Sequence, residues 1–232
     1  MIRLEVLYKE YMNLYGDSGN IVYLKKCIPE LEVIYTGIND KPSFIKKKID
    51  ILYLGPSTED KQEEVINLLM PYKDKIKELI EKGTIILATG NALEIFGKYI
   101  EKTNGKRIKC LGLYNLYSKR LENLRYNENC LGIMKDITIV GFKNQLSHIY
   151  GKDKHVFLNM KIGSGRNPQV KEEGIMDNNF IGTYLLGPIL LLNPQFTKYI
   201  LEKLKIKNIE LPYYEDSIKA YNKRIEEFNS IK

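Results

Sequence analysis

The sequence predicts an α/β fold with an open, doubly wound and mostly parallel sheet. Short apolar runs alternate with helix-like segments through residues 2–88, the order that produces parallel strands joined by crossover helices. The run at 50–55 is apolar on both faces, as expected for a strand in the middle of such a sheet. Glycine-containing turns follow several runs, so the sheet resembles the flavodoxin-like class, with ligand sites at the carboxyl ends of its strands.

The local pattern places each element in turn. Four strands are predicted at 2–8, 31–35, 50–55 and 84–88, with a short helix ending near Cys27 and a long one running to Glu81. Residues 56–60 can cap the long helix, because Ser, Thr and Asp accept hydrogen bonds from a first turn. Later strands are predicted at 137–142, 156–162 and 180–184, followed by helices at 194–205 and 213–229. No linker or repeat interrupts the chain, so residues 1–232 are predicted to form one domain.

Composition and charge argue against several classes of protein. The chain is 44% apolar and 28% charged, which is ordinary for a soluble globular protein. Its apolar stretches are too short to span a bilayer, and Glu5 stands where a secretory signal needs an apolar run, so a cytoplasmic location is predicted. The net charge of +7 comes from lysines interleaved with glutamates, without the basic-aromatic pattern of nucleic-acid binding. Neither a membrane nor a nucleic acid is therefore expected as a partner.

Cysteine and histidine are too few and too scattered for a disulfide scaffold or a zinc site. The three cysteines, Cys27, Cys110 and Cys130, form no CxxC pair, and His148 and His155 are the only histidines. Structural zinc sites use grouped Cys and His ligands. No metal and no cofactor is predicted.

The segment at 84–97 reads as a buried strand, a tight turn and a helix. Such a turn pushes one side chain into a site beside a helix N-terminus, as in a nucleophile elbow. The residue at the turn is Gly90, which has neither a thiol nor a hydroxyl. The loops at Tyr15, Gly55, Gly90 and Leu186 are expected to meet at one edge of the sheet.

Several segments, in this order, resemble class I glutamine amidotransferases of the cobyric-acid-synthase-like family, and in particular the glutaminase subunit of lipid II isoglutaminyl synthase. The family patterns are Y-G-D-x-G-N at 15–20, C-G-G-x-Q-x-x-G at 90–97, G-K-R-I at 105–108, G-F-E-N-H partly at 141–145, G-N-G at 163–165, G-[ST]-Y-x-H-G-P at 182–188 and L-P-x-Y-E-D at 211–216. Each pattern alone is weak. Together they span nearly the whole chain, so the resemblance covers the fold and not only one motif.

The resemblance implies a glutaminase whose chemistry has been lost. Family members use a cysteine thiolate, a histidine that shuttles the proton and backbone N–H groups that hold the oxyanion. The nucleophile position holds Gly90 and the histidine position holds Leu186, so no catalytic residue is predicted. The vestigial substrate cleft is assigned to Gly55, Pro56, Asn91, Glu94 and Arg125. Pro56 interrupts the family's glycine-rich oxyanion loop and has no N–H to donate. Glu94 replaces the glutamine of the family's elbow pattern. Arg125 matches an arginine that the family keeps.

Other residues are poor substitutes for the lost groups. Cys110 is expected to be a buried structural cysteine. Thr89 precedes the elbow, but a hydroxyl without an adjacent base is a weak nucleophile. His148 and His155 are expected to be surface histidines near the edge of the site.

Two functions therefore stay open, with a third, nucleic-acid binding, resting on net charge alone. The first is a binding or regulatory subunit beside a Mur-ligase-like, ATP-dependent enzyme in cell-wall or cobyric-acid-like amidation. The second is an enzyme or small-molecule-binding protein with altered chemistry in the old cleft, built from Glu94, Asn91, Arg125 or the histidines. The segments at 15–20 and 211–216 fit either a role in folding or a partner surface.

Overall fold

The computed structural model describes residues 1–121 and 123–230, so the predicted domain of 1–232 includes three residues outside the described part. The strands are β1 (Arg3–Leu7), β2 (Glu32–Thr36), β3 (Ile51–Leu54), β4 (Ile85–Thr89), β5 (Tyr99–Glu101), β6 (Arg107–Lys109), β7 (Leu116–Arg120), β8 (Tyr126–Met134), β9 (Ile137–Gln145), β10 (Ser147–Gly151), β11 (Leu158–Ile162), β12 (Glu172–Glu173), β13 (Ile175–Asp177) and β14 (Phe180–Thr183). The α-helices are α1 (Gly19–Cys27), α2 (Glu59–Leu69), α3 (Lys73–Glu81), α4 (Ile189–Leu192), α5 (Pro194–Lys203) and α6 (Tyr214–Ser230). Within the described ranges, no helix has both the length and the apolar character needed to cross a bilayer.

The central sheet confirms the predicted fold class. Its six strands lie in the order β2–β1–β3–β4–β14–β13. All neighbours pair in parallel except β13, which runs antiparallel at one edge. Side chains alternate across the sheet, so that Leu52 and Leu54 join one buried cluster and Ile51 and Tyr53 join the other. Helices α2 and α3 cover the first face, and α1, α4 and α5 cover the second.

Two further four-stranded sheets were not expected in this detail. They have the orders β10–β7–β5–β6 and β12–β11–β8–β9. The predicted strands near 137–142 and 156–162 belong to the second sheet, whereas β5 to β8, β10 and β12 were missed. Most of these strands are short or carry charged residues at alternate positions, and their pairing with partners elsewhere in the chain, rather than local propensity, makes them strands.

Two predicted helices differ from the structure for identifiable reasons. The long helix ending at Glu81 is divided by a 3-10 turn at Met70–Tyr72, where Pro71 lacks the N–H that a continuous helix would use. The helix expected after the elbow is a 3-10 segment, Gly90–Phe96. It has no room to extend, because Gly97 is already extended and β5 begins at Tyr99.

The loop at 15–20 is tied to the elbow by a buried carboxylate. Asp17 Oδ2 accepts hydrogen bonds from the hydroxyls of Tyr53 on β3 and Thr89 on β4. Asn20 donates to the carbonyl of Asp17 at 3.0 Å and accepts from the N–H of Leu190 at 3.0 Å. Burial raises the pKa of Asp17, and the hydrogen bonds from Thr89 and Tyr53 oppose that rise. This part of the loop at 15–20 therefore serves the fold by fixing the position of Gly90.

Removing one donor to Asp17 should destabilise the fold. We expect Thr89→Val and Tyr53→Phe each to lower the free energy of unfolding by about 1–3 kcal/mol, because the buried Oδ2 of Asp17 then loses one of its two hydroxyl donors. Chemical denaturation measures the change, with Tyr35→Phe, at an exposed hydroxyl, as the control. If both variants unfold like the control, Asp17 does not hold the elbow in place.

A candidate ligand cleft at the carboxyl edge of the sheet

The four predicted loops converge on one small cavity. Tyr15, Pro56, Gly90 and Leu186 all line it, as expected for loops at the carboxyl ends of neighbouring parallel strands. The complete lining is Tyr15, Pro56, Ser57, Glu59, Gly90, Asn91, Glu94, Arg125, Asn144, Gln145, Leu146, Ser147, Tyr184 and Leu186. Its accessible space of about 30 Å³ is enough for one or two water-sized groups.

The elbow keeps its backbone geometry but has no space for a side chain. Gly90 has φ +59°, a left-handed conformation that favours glycine. A Cβ on this residue would lie 2.6 Å from Cβ of Pro56 and 3.4 Å from Cδ2 of Leu186. Leu186 is buried and exchanges backbone hydrogen bonds of 2.9 and 3.1 Å with Phe142. The two residues around the elbow are thus apolar groups that can neither attack a substrate nor transfer a proton.

The loop facing the elbow also presents few oxyanion donors. Pro56 has no N–H, and the N–H of Ser57 donates to Oδ1 of Asn91 at 2.9 Å. The side chain of Asn91 completes the pair by donating to the carbonyl of Ser57 at 2.9 Å. An N–H group that is engaged inside the protein is not free to stabilise negative charge on a substrate.

Four of the five predicted cleft residues line the cavity, and Gly55 does not. Gly55 packs against the backbone of Met12, where a Cβ would come within 2.5 Å of the carbonyl oxygen. Arg125 lies exposed at the mouth. It donates to Oδ1 of Asn144 at 2.6 Å and to the hydroxyl of Tyr15 at 3.4 Å.

Glu94 is the buried carboxyl group of the cleft. It accepts a 2.7 Å hydrogen bond from the hydroxyl of Tyr184 through Oε1, while no donor lies within hydrogen-bond distance and angle of Oε2 among the described residues. Burial raises the pKa of Glu94, and the nearby polar side chains of Tyr184, Gln62 and Ser147 only partly offset that rise. The guanidinium of Arg120 is close enough to favour the carboxylate, but it is bound by Glu63 at 2.6 Å.

The alternative nucleophiles are not activated. Burial raises the pKa of Cys27 to about 11 and that of Cys110 and Cys130 to about 12, so these thiols stay protonated at neutral pH. The Thr89 hydroxyl is committed to Asp17. In residues 1–121 and 123–230, no three His, Cys, Asp or Glu side chains are grouped to hold a metal ion.

Neither histidine lines the cleft. The expectation of a surface residue was wrong for His148, which is buried on β10 and stacks on Tyr126 with ring centroids 4.4 Å apart. Neither ring nitrogen has a hydrogen-bond partner among the described residues, and burial lowers the pKa of His148. His155 is partly buried beside Asp153 and Asp177.

Sequence patterns did not single out several residues of the lining. Tyr184, the partner of Glu94, lies inside the resemblance at 182–188, and its position there is the signal that could have found it. Ser57 lies in the loop after β3, whereas Asn144 is near the end of β9 and Ser147 begins β10. Only the folded chain brings Ser57 to the other two, because no local spacing relates it to them.

The family relationship is visible over most of the chain. Residues 3–193 match the CobB/CobQ-like glutamine amidotransferase domain. The GatD subunit of the glutamine-hydrolysing lipid II isoglutaminyl synthase from Streptococcus pneumoniae is 29% identical over 239 residues, covering 97% of this chain and 90% of that protein. The GatD subunit from Staphylococcus aureus is 32% identical over 197 residues, covering 83% of this chain and 79% of its own length.

Solved structures with low sequence identity share the fold. A crystal structure of a glutamine amidotransferase aligns with a TM-score of 0.58 at 11% identity, covering 87% of this chain and 99% of the other. A glutamine amidotransferase from Thermotoga maritima aligns with a TM-score of 0.55 at 12% identity, covering 95% and 92%.

Glu94 should make stability depend on pH. Its raised pKa means that the folded chain holds a proton that the unfolded chain releases, so this stability is complete at low pH and is lost as the pH rises through the raised pKa. Glu94→Gln cannot ionise and avoids the loss. We expect the melting temperature of this variant to exceed that of the wild type, and the difference to grow from acidic to neutral pH. Each kcal/mol of unfolding free energy gained corresponds to ~2–4 °C.

Calorimetry across pH measures this difference, and Glu10→Gln, at an exposed glutamate, is the control. A difference between Glu94→Gln and the wild type that does not change with pH would show that Glu94 ionises as freely as a surface glutamate.

Proposed function

The chain belongs to the CobB/CobQ-like glutamine amidotransferase family, and we propose that it is a member that does not hydrolyse glutamine and acts as a binding or regulatory subunit. The observation that carries this proposal is the elbow. Gly90 supplies no nucleophile, and Pro56 and Leu186 occupy the space where a nucleophile and its base would meet. Loss of two members of a catalytic unit leaves little more activity than loss of all of them.

The proposed partner is a Mur-ligase-like, ATP-dependent enzyme. Both GatD relatives are named as subunits of a synthase that amidates lipid II, and the match to them covers 97% and 83% of this chain. By this similarity the complex would act in cell-wall amidation, or in a cobyric-acid-like amidation. It would work in the cytoplasm, where ATP for the ligase is available.

A surface at the junction of α1, α4 and α6 supports a protein partner. We call it the junction surface and define it by the exposed apolar and aromatic side chains Val22, Leu191, Tyr213 and Tyr214, which are 59%, 39%, 62% and 41% exposed. Helix α4 contacts both α1 and α6. Exposed apolar groups that lie together are typical of interaction sites.

The junction surface connects the two segments whose role the sequence left open. Lys26 lies one helical turn after Val22 and donates to the hydroxyl of Tyr213 at 3.2 Å. Helix α1 follows directly from the loop at 15–20, and Tyr213 belongs to the segment at 211–216. Lys26 and Lys198 lie over the rings of Tyr213 and Tyr214, and the exposed acids Glu215 and Asp216 follow directly. The aromatic centre is therefore bordered by charges of both signs, which a partner would have to match.

A second candidate function is small-molecule binding in the cleft. The buried and unpartnered Oε2 of Glu94 favours it, because a ligand donor could satisfy that atom. Thermal stabilisation by amino acids or nucleotides in the absence of a partner would distinguish this function from partner binding.

The purified protein should release no ammonia from glutamine. Gly90→Cys alone should not restore release, because the new side chain meets Pro56 and faces Leu186, and its left-handed backbone should cost about 1 kcal/mol of stability. A coupled ammonia assay measures the rate, with the Streptococcus pneumoniae relative, assayed as part of its synthase, as positive control. Release by the wild-type chain above the blank that is abolished by Asn91→Ala would contradict the proposal.

The junction surface should be needed to recover the partner. Affinity purification from the native host should yield a stoichiometric ligase-like protein with the wild type, and at least about tenfold less with Val22→Glu or Tyr213→Ala, a loss typical of interface anchors. Ile45→Glu is the matched control. Ile45 is also exposed, but its neighbour Phe44 packs in the cluster on the opposite face of the sheet. Recovery of the wild type alone, or equal capture by all variants, would count against this interface.

A further inference from the structure

The cavity next to Gly90 is lined by three buried oxygens that have no hydrogen-bond partner. Oε2 of Glu94, Oε1 of Gln145 and Oγ of Ser57 are all buried without a partner in residues 1–121 and 123–230. The three side chains are 2%, 1% and 4% exposed. The carboxylate and amide oxygens only accept, and the hydroxyl of Ser57 can accept or donate. Buried polar groups are normally satisfied in folded proteins, so these oxygens around one cavity point to a ligand that donates hydrogen bonds.

The orientation of Gln145 is fixed by its surroundings. Its amide nitrogen donates to the carbonyls of Ser147 at 2.6 Å and Arg166 at 3.4 Å. Turning the amide over would place its oxygen against two carbonyl oxygens, which are acceptors only. The oxygen of Gln145 is therefore the atom left for the cavity.

Positive charges near the cavity are already engaged. Arg120 donates to Glu63 at 2.6 Å and to the side-chain oxygen of Gln62 at 3.0 Å. Arg125 is exposed at the mouth and donates to Asn144. The carboxyl group of Glu94 is thus the buried acid of the cavity and is not paired with a cation by a hydrogen bond.

We propose that this cavity binds a compact cation that carries N–H donors, with ammonium as the smallest example. Ammonium offers four donors and a positive charge, which matches two or three acceptors that include a carboxyl group. The space of about 30 Å³ beside these oxygens fits a group of this size. This binding is additional to the proposed role as a partner subunit. It rests on that proposal in one respect, namely that the cleft does not hydrolyse glutamine.

Binding should displace a proton from Glu94. Because burial raises the pKa of this carboxyl, its proton leaves more easily when a cation occupies the cavity, and affinity should rise with pH. The titratable groups that face Glu94 are Tyr184, Arg120 and Cys110. Burial raises the pKa of Tyr184 and Cys110, so both stay neutral in this range, and Arg120 stays charged.

The test is thermal unfolding of the purified full chain at neutral pH, without glutamine or a partner. Ammonium chloride is compared with potassium, sodium and tetramethylammonium chlorides at equal ionic strength. We expect ammonium to raise the melting temperature by at least about 2 °C more than the other salts. The excess should disappear in Glu94→Gln, shrink in Ser57→Ala and be smaller at acidic pH.

Each alternative outcome has a defined meaning. Equal stabilisation by all four salts is a general salt effect and overturns the proposal. An ammonium-specific excess that survives in Glu94→Gln places the ion elsewhere and also overturns it. If Glu94→Gln does not fold, Ser57→Ala and the pH dependence decide the question. Glutamine hydrolysis in the ammonia assay would refute the proposed function without changing these salt titrations, so the two failures are distinguishable.

Discussion

The buried carboxylate of Asp17 is the interaction on which the geometry of the cleft depends. It accepts hydrogen bonds from hydroxyls at the ends of two adjacent central strands, Tyr53 on β3 and Thr89 on β4. Thr89 directly precedes Gly90, so the same contact that holds the first loop also holds the elbow. Burying a carboxyl group is costly unless hydrogen bonds compensate, and only Oδ2 of Asp17 has partners among the described residues. The two hydroxyl donors therefore constrain the loop at 15–20 whether or not the site performs chemistry.

This dependence rests on backbone and packing contacts and not on a nucleophile. The left-handed turn at Gly90 needs the loop, the strand ends and the packing of Leu186, none of which depends on a nucleophile. Once no side chain projects from the elbow, Pro56 can fill the space that it would occupy. Glu94 then lies in a small polar cavity, buried and hydrogen-bonded to Tyr184. The same arrangement leaves buried oxygens without hydrogen-bond partners among the described residues.

Much of this arrangement could be predicted from the sequence, for physical reasons that differ between elements. Each of the four early parallel strands is a short apolar run that can be recognised from adjacent residues alone. The elbow is a turn whose left-handed backbone favours the glycine found there, Gly90. The short strands β5 to β7 and β10 depend on pairing between distant segments, which local propensity does not encode. The burial of His148 and the close packing of Gly55 against Met12 likewise depend on contacts that exist only in the folded chain.

The central claim is that the cleft holds no activated nucleophile, and covalent trapping tests it most directly. The purified protein would be incubated with an electrophilic analogue of glutamine that alkylates catalytic thiols, and its intact mass would be measured beside that of a glutamine-hydrolysing relative. The account predicts an adduct on the relative and an unchanged mass for this chain, because the three cysteines are protonated at neutral pH and none lines the cleft. A single adduct on this chain that glutamine prevents would contradict the account and show that a nucleophile has replaced the missing one.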